Sequence, residues 1–452
     1  MSAKYVGYPE YKDSGVEWLG EIPKHWERKR IKETARLING YPFDSKKFEA
    51  GKGTPLVRIR DIRTSKTEVG VVGEIPSMAL INNGDVLIGM DGDFNVALWS
   101  GGEAALNQRV ACIRAEDYNL QKFLYYVSPF NMKVVNDLTY FTTVKHLSSI
   151  DILKTVYALP PEGELDSIVS FLDHETTKID TLIEKQQQLI KLLKEKRQAV
   201  ISHAVTKGIN ANVPMRDSGV EWLGEVPEHW EVARFKYLVS ESAAGPYGSS
   251  LTKSMYTASG IRVYGQQQVI ADDLSIGDYY ISEAKFKEMR RYEVYPNDVL
   301  ISVMGTVGKV AVVPKSIERG IINPRLVKYK VMENKILPQF VKASILCDVS
   351  QSQLLFSAQG STMDGLNMQI LGELPIPHPP GLEEQKEIIN EIKRQGDKFD
   401  NILSECLVAV ELLKERRTAL ISAAVTGKID VRLFNPKDEL PQVPLNHKEA
   451  SV

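Results

Sequence analysis

Cysteine is scarce in this chain: Cys112, Cys347 and Cys406 stand far apart and form no CxxC pair. That usage suits a reducing compartment and excludes a zinc site built on paired thiolates. No apolar run approaches the ~18–20 residues that a bilayer crossing needs. The opening MSAKYVGYPEYKDSG has no apolar core of a secretory leader, so a cytoplasmic protein with no membrane partner is expected. Catalytic signatures are missing as well. The only proline pairs sit in LPPEG and HPPG, so the Asn/Asp-Pro-Pro-aromatic motif of an amino-methyltransferase is absent, and no GxGxxG occurs. Gly308-Lys309 continues with Val310 rather than the Ser or Thr of a nucleotide-binding P-loop. His174-Glu175 starts like a zinc-protease helix, but Lys178 stands where the second histidine belongs. Glu283-Ala284-Lys285 mimics half of a nuclease site without the Pro-Asp that should precede it. We expect no catalytic residue, no metal and no cofactor on this chain.

An excess of one charge is also lacking, since 56 Lys+Arg face 58 Asp+Glu. The distribution is uneven. Residues 28–160 carry 18 basic against 14 acidic side chains, and residues 232–378 carry 16 against 13. Two mildly basic segments therefore sit in an acidic frame, and local charge steers nucleic acid more than the total does.

What the chain does have is itself, twice. Residues 13–27 read DSGVEWLGEIPKHWE and residues 217–231 read DSGVEWLGEVPEHWE. A second pair follows, LLKEKRQAVISHAVT at 192–206 and LLKERRTALISAAVT at 412–426. The order is motif, variable segment, helix, repeated once. Fainter echoes join the variable segments: DVLI at 85–88 and 298–301, NQR at 107–109 against NPR at 323–325, and Thr143 and Leu147 against Thr362 and Leu366. They predict one fold carrying two different surfaces. In each motif the His-Trp pair, at 25–26 and 229–230, is expected to pack its indole and to bond its imidazole locally.

Ile179, Ile183, Gln186, Ile190, Leu193, Arg197, Val200 and Ala204 alternate in steps of four and three, the spacing of a coiled-coil seam. A shift of 220 gives Phe399, Leu403, Cys406, Val410, Leu413, Arg417, Leu420 and Ala424. Arg197 and Arg417 interrupt both seams at the same place. Pro160-Pro161 and Pro379-Pro380 precede the helices, and Gly208 and Gly427 follow them, where a C-terminal stop belongs. About 40 residues of helix span ~60 Å. One narrow seam per helix predicts that the two helices pair with each other, as an antiparallel coiled coil.

The variable segments alternate β-rich runs with turn residues: TPLVRIRDI, GDVLIGMDGDF and NQRVACIRA, then GIRVYGQQQVI, NDVLISVMGTVGKVAVV and NPRLVKYKV. LQKFLYYVSP and LPQFVKASIL look like short helices near their ends. The expected fold class is α+β. The boundaries follow: repeat motif 1–27, first α+β head 28–160, helix 161–210, second motif 211–231, second head 232–378, helix 379–430, and a tail 431–452 expected to be disordered.

An α+β segment, a Pro-Pro entry and a helix ending in LLKEKR…AVISHAVT, all repeated, resembles the specificity subunits of Type I restriction-modification systems. The resemblance covers nearly the whole chain and includes GSTMDGLNMQILGELPIPHPPGLEEQKEI and LLKERRTALISAAVTGKID. It implies two target-recognition domains, each reading one half of a split, asymmetric site on double-stranded DNA, with the helices fixing the gap. It also implies two methylation subunits and two restriction subunits as partners, which would carry S-adenosylmethionine, ATP and Mg2+. The competing reading is a scaffold that assembles partners through its coiled coil and reads no DNA.

Base reading needs side chains that reach base edges, with others on phosphate. In the first head the candidates are Lys46, Lys47, Arg58, Arg60 and Arg63, with alternation in VRIR placing Arg58 and Arg60 on one strand face. Asn95, in the loop DGDFN, suits adenine, and Thr142, Thr143 and Lys145 form a further loop. In the second head, Gln266, Gln267 and Gln268 offer amides, Tyr247, Ser249 and Lys253 lie on a glycine-rich loop, and Ser361, Thr362 and Met363 match 142–145 by position.

Overall fold

The structure is a computed structural model, and it describes residues 5–138, 146–247, 250–359 and 366–435. The chain forms two compact units. The first comprises Met1–Gln186 with Ala409–Val452, and the second Gln187–Val408. Each unit contains one α+β head and part of each long helix, Glu162–Lys207 and Leu382–Val425.

The first head is built on a four-stranded antiparallel sheet in the order Val96–Leu98, Val86–Gly89, Val110–Arg114, Arg36–Asn39. Val86–Ile88 and Val110–Ile113 are fully buried because helix Tyr118–Leu138 covers one face and a second sheet covers the other. In that second sheet Thr54–Val57 and Ala104–Leu106 run parallel. The second head repeats both features. Val310–Val312, Val299–Ser302, Leu326–Val331 and Val239–Ala244 lie in the corresponding order, and Ile261–Tyr264 runs parallel to Gly320–Ile322. The DVLI echo marks the same strand in both heads. Its leading aspartate makes the same turn twice: Asp85 accepts from the Asn82 amide at 2.8 Å, and Asp298 from the Tyr295 amide at 2.9 Å.

A two-stranded ladder closes each head. Glu27–Arg30 pairs with Val156–Leu159, and Glu231–Arg234 with Pro375–His378. Entry and exit of the head thus lie side by side, which brings each repeat motif against the first turn of the helix that leaves the head. Trp26 is fully buried and donates Nε1–H to Glu164 Oε1 at 3.0 Å, while His25 Nε2 lies 2.7 Å from Glu164 Oε2. Trp230 and His229 make the same two contacts to Glu384, each at 2.9 Å. The indoles pack as the sequence predicts. The imidazoles do not bond locally; they reach 139 and 155 residues along the chain. A carboxylate in a helix's first turn also complements the helix dipole, so one acid serves three purposes.

The seam positions are where the long helices bury themselves. Ile179, Phe399, Cys406, Val410 and Leu420 are buried, and Ile183, Ile190, Leu193, Val200, Leu403 and Leu413 are half-buried between exposed neighbours. The helices pack antiparallel. In the first unit Asp180 meets Arg417 at 2.8 Å. In the second unit Arg197 meets Asp400 at 3.2 Å. A shift of 220 turns one ion pair into the other, so the arginines that interrupt the seam are paired across it.

Three local expectations need correction. The run GIRVYGQQQVI is not one strand. It breaks at Gly265, because the Gln268 side chain accepts the Gly265 amide at 3.0 Å and starts helix Gln266–Ala271. LQKFLYYVSP opens a 21-residue helix that runs through Pro129, not a short one. The expected tail is packed at its start: Val431 is buried and Phe434 meets Phe171 edge to face with ring centroids 5.0 Å apart.

Gly427 ends the second long helix at φ +70°, and an added Cβ would meet Pro23 Cδ at 2.3 Å. Gly427→Ala therefore has both a left-handed backbone and a rigid ring against it. A loss of about 2 kcal/mol is expected, measurable by urea unfolding; a wild-type midpoint would show that Pro23 gives way freely.

Candidate nucleic-acid interface

At the carboxyl end of the parallel strand pair, three loops of each head are tied together by backbone bonds. In the first head, Asn107 N–H donates to Val57 O at 3.0 Å and Met90 N–H to Arg109 O at 3.0 Å. In the second, Asn323 N–H donates to Tyr264 O at 2.8 Å and Val303 N–H to Arg325 O at 3.0 Å. Leu147 N–H to Met90 O, at 2.7 Å, and Leu366 N–H to Val303 O, at 2.8 Å, fasten the returning chain at the same point. The loops that follow Val57, span 90–95 and span 107–109 thus correspond to those that follow Tyr264, span 303–308 and span 323–325.

The side chains on this common frame differ. In the first head Arg63 donates to Asn95 Oδ1, joining two candidates that stand 32 residues apart. Beside them Asp91 accepts from Arg109 and lies 2.7 Å from His146 Nδ1. Partial burial alone would raise the Asp91 carboxyl, but the His146 and Arg109 contacts outweigh it and hold it below the usual carboxylate range. In the second head Gln266 takes the centre. Its amide donates to Met304 O, and its Oε1 accepts from Arg325 at 3.3 Å. Met304 is 45% exposed, leaving an apolar contact available beside that amide.

The other candidates fall differently. Lys46 and Lys47 are exposed on a short 3-10 turn capped by Asp44. Arg58 and Arg60 do not share a strand face, because the strand stops at Val57. Arg58 folds back instead onto Asp61 at 2.8 Å and Glu68 at 3.1 Å, so it is committed inside the head, whereas Arg60 is exposed. Gln268 is 3% exposed and spends its amide on Gly265 and on Ile276 O, so it has nothing left for a base; Gln267 is exposed. Tyr247 and Lys253 are exposed beyond the strand Val239–Ala244. Thr142, Thr143, Lys145, Ser249, Ser361, Thr362 and Met363 lie outside the described residues. Reading of the sequence missed Arg109, His146, Arg325 and Met304, although the NQR/NPR echo already marked the two arginines.

Among the described residues no three His, Cys, Asp or Glu side chains stand together as metal ligands, and no helix is long and apolar enough to cross a membrane. The family model described as the Type I restriction modification DNA specificity domain matches residues 23–192 and 252–405. The chain belongs to the Type I restriction-modification specificity family. As a DNA specificity subunit with two target-recognition domains, it is the non-catalytic member of its system. It is 27% identical to the Type I restriction enzyme EcoBI specificity subunit of Escherichia coli, over 94% of this chain and 91% of the relative. It is 21% identical to the MjaVIII specificity subunit of Methanocaldococcus jannaschii, over 92% and 95%. In fold it resembles a chain from a solved structure that addresses complex assembly and conformational transition of the type I R-M system. That match has a TM-score of 0.63 and 18% identity, covering 89% of this chain and 98% of that one.

Two target-recognition domains on one frame make the loop clusters the candidate interface. Loops on a rigid sheet are where side chains vary without unfolding the domain. Asn95→Ala should leave stability within about 0.5 kcal/mol of wild type and weaken discrimination at one base of one half-site by roughly tenfold. Competition binding with single-base variants of the target checks this; uniform weakening would remove Asn95 from the readers.

Proposed function

We propose that each head reads one half of a bipartite, asymmetric site on double-stranded DNA through its strand-end loop cluster, while the paired helices set the gap. The observation that carries this is the contrast just described: an identical backbone frame bearing Arg63, Asn95, Asp91 and His146 in one head, and Gln266, Met304 and a helix in the other. Two different readers on one frame are what an asymmetric site requires. Lys46, Lys47, Arg60, Gln267, Tyr247 and Lys253 then flank the readers as further DNA contacts.

The helices serve a second purpose in this reading. Off the seam, Leu182 and Leu192 are exposed on the first long helix, and Ile402 and Leu412, at the same positions 220 residues on, are exposed on the second. Repeated apolar positions suit two copies of one partner, namely two methylation subunits, with two restriction subunits joining the cleaving complex. S-adenosylmethionine, ATP and Mg2+ belong to those partners.

A scaffold that reads no DNA would carry the same helices, so the test must address the heads. Methylome sequencing of the host supplies the target. A gel shift of the assembled complex at low salt should then show strong preference for that discontinuous sequence over an unrelated duplex. Equal affinity for both would leave the scaffold reading in its place.

A further inference from the structure

The two heads agree in one charged side chain at the interface. Arg109 and Arg325 are each the third residue of an asparagine-led turn, closed by Val110 N–H to Asn107 O and by Leu326 N–H to Asn323 O. Each arginine's carbonyl accepts the amide that opens the neighbouring loop, Met90 or Val303, at 3.0 Å. Both side chains are exposed, Arg109 to 59%. Their side-chain partners change between heads: Arg109 faces the Asp91 carboxylate, and Arg325 the neutral Gln266 amide.

A side chain held in the same place by readers of two different half-sites cannot account for the difference between them. Phosphate is what every half-site presents, whatever its sequence. We infer that Arg109 and Arg325 grip the DNA backbone and set the register of each head, leaving base reading to the residues that differ around them. This inference rests on the reading of the loop clusters as two distinct DNA readers.

The contrast in partners sharpens it. Arg109 is already paired with Asp91, whose carboxylate also repels an incoming anion. Arg325 faces only a neutral amide at 3.3 Å. Asp91→Asn should therefore raise affinity for the unrelated duplex, where base reading plays no part.

The experiment uses the full chain assembled with its methylation subunit, titrated against the cognate duplex and an unrelated duplex across a range of salt. Arg109→Ala and Arg325→Ala should each weaken both duplexes by a similar factor, roughly tenfold. Each should also reduce the slope of log affinity against log salt by about 0.9. Arg109→Lys and Arg325→Lys should restore most of the loss, because an ammonium holds phosphate but cannot make the bidentate pair to guanine. Losses confined to the cognate duplex and not restored by lysine would overturn the inference and make the arginines base readers. Wild-type binding by the arginine variants, with half-site changes in Asn95→Ala and Gln266→Ala, would also overturn it while sparing the loop clusters. Wild-type binding by all four alanine variants would remove the loop clusters themselves.

Discussion

Trp26→Ala is expected to destabilise the first unit by about 3–5 kcal/mol, the range for deleting a fully buried indole. Trp26 is 0% exposed and packs edge-on against Tyr8 at 5.8 Å, with the end of the second long helix above it at Gly427. Its loss opens a cavity and also takes the indole donor from Glu164, whose side chain is 6% exposed. A buried acid that loses a donor costs more than the contact itself contributed. For a unit of this size the melting temperature should fall by roughly 10 °C. Trp26→Phe separates the two contributions, since it keeps most of the packing and removes only the Nε1–H. Trp230→Ala should cost less, because Glu384 is 34% exposed and water can replace the indole. Differential scanning calorimetry of the three variants checks the order; a Trp26→Ala melt like wild type would mean that the repeated motif is held by something other than this clasp.

The clasp also shows where sequence reading stops. The seam was legible because a four-three spacing leaves an apolar stripe on a helix, and burial of Ile179, Phe399, Val410 and Leu420 follows from it. The α+β heads were legible from runs such as DVLI, where β-branched residues stand between turn formers. Contacts between distant segments were not. Nothing near His25 names Glu164 as its partner, although a glutamate recurs 220 residues later at 384, beside the second clasp. Arg58 looked available because VRIR alternates; Asp61, three residues on, pulls it inward. Gln268 looked like its neighbours, yet a helix start after Gly265 needs an acceptor and takes that amide. Whether a polar side chain is free for a ligand depends on what the backbone beside it lacks, and that is settled only by tertiary structure. The shared arginines are the opposite case: their echo was visible in NQR and NPR, and only the three-loop frame gives it meaning.

Exchange of residues 232–378 for another head of the family is expected to change one half of the recognised site completely and to leave the other half and the gap unchanged. The cut points follow from the closing ladder, where Glu231 pairs with His378 and Arg234 with Pro375. A graft from 232 to 378 brings nearly all of that ladder with it, so the new head closes on itself. His229, Trp230 and Glu384 lie outside the graft and keep their clasp. The first head contributes its own frame, clasp and readers, none of which uses a residue between 232 and 378. On the proposed reading the gap depends on the helix seams, which also lie outside. Methylation mapping of a host carrying the exchanged chain reads all three elements of the site at once. A change in both halves would mean that the heads read cooperatively, and no change would mean that the second head does not read at all. Either result ends the two-reader account, because that account requires the specificity of each half to travel with one head alone.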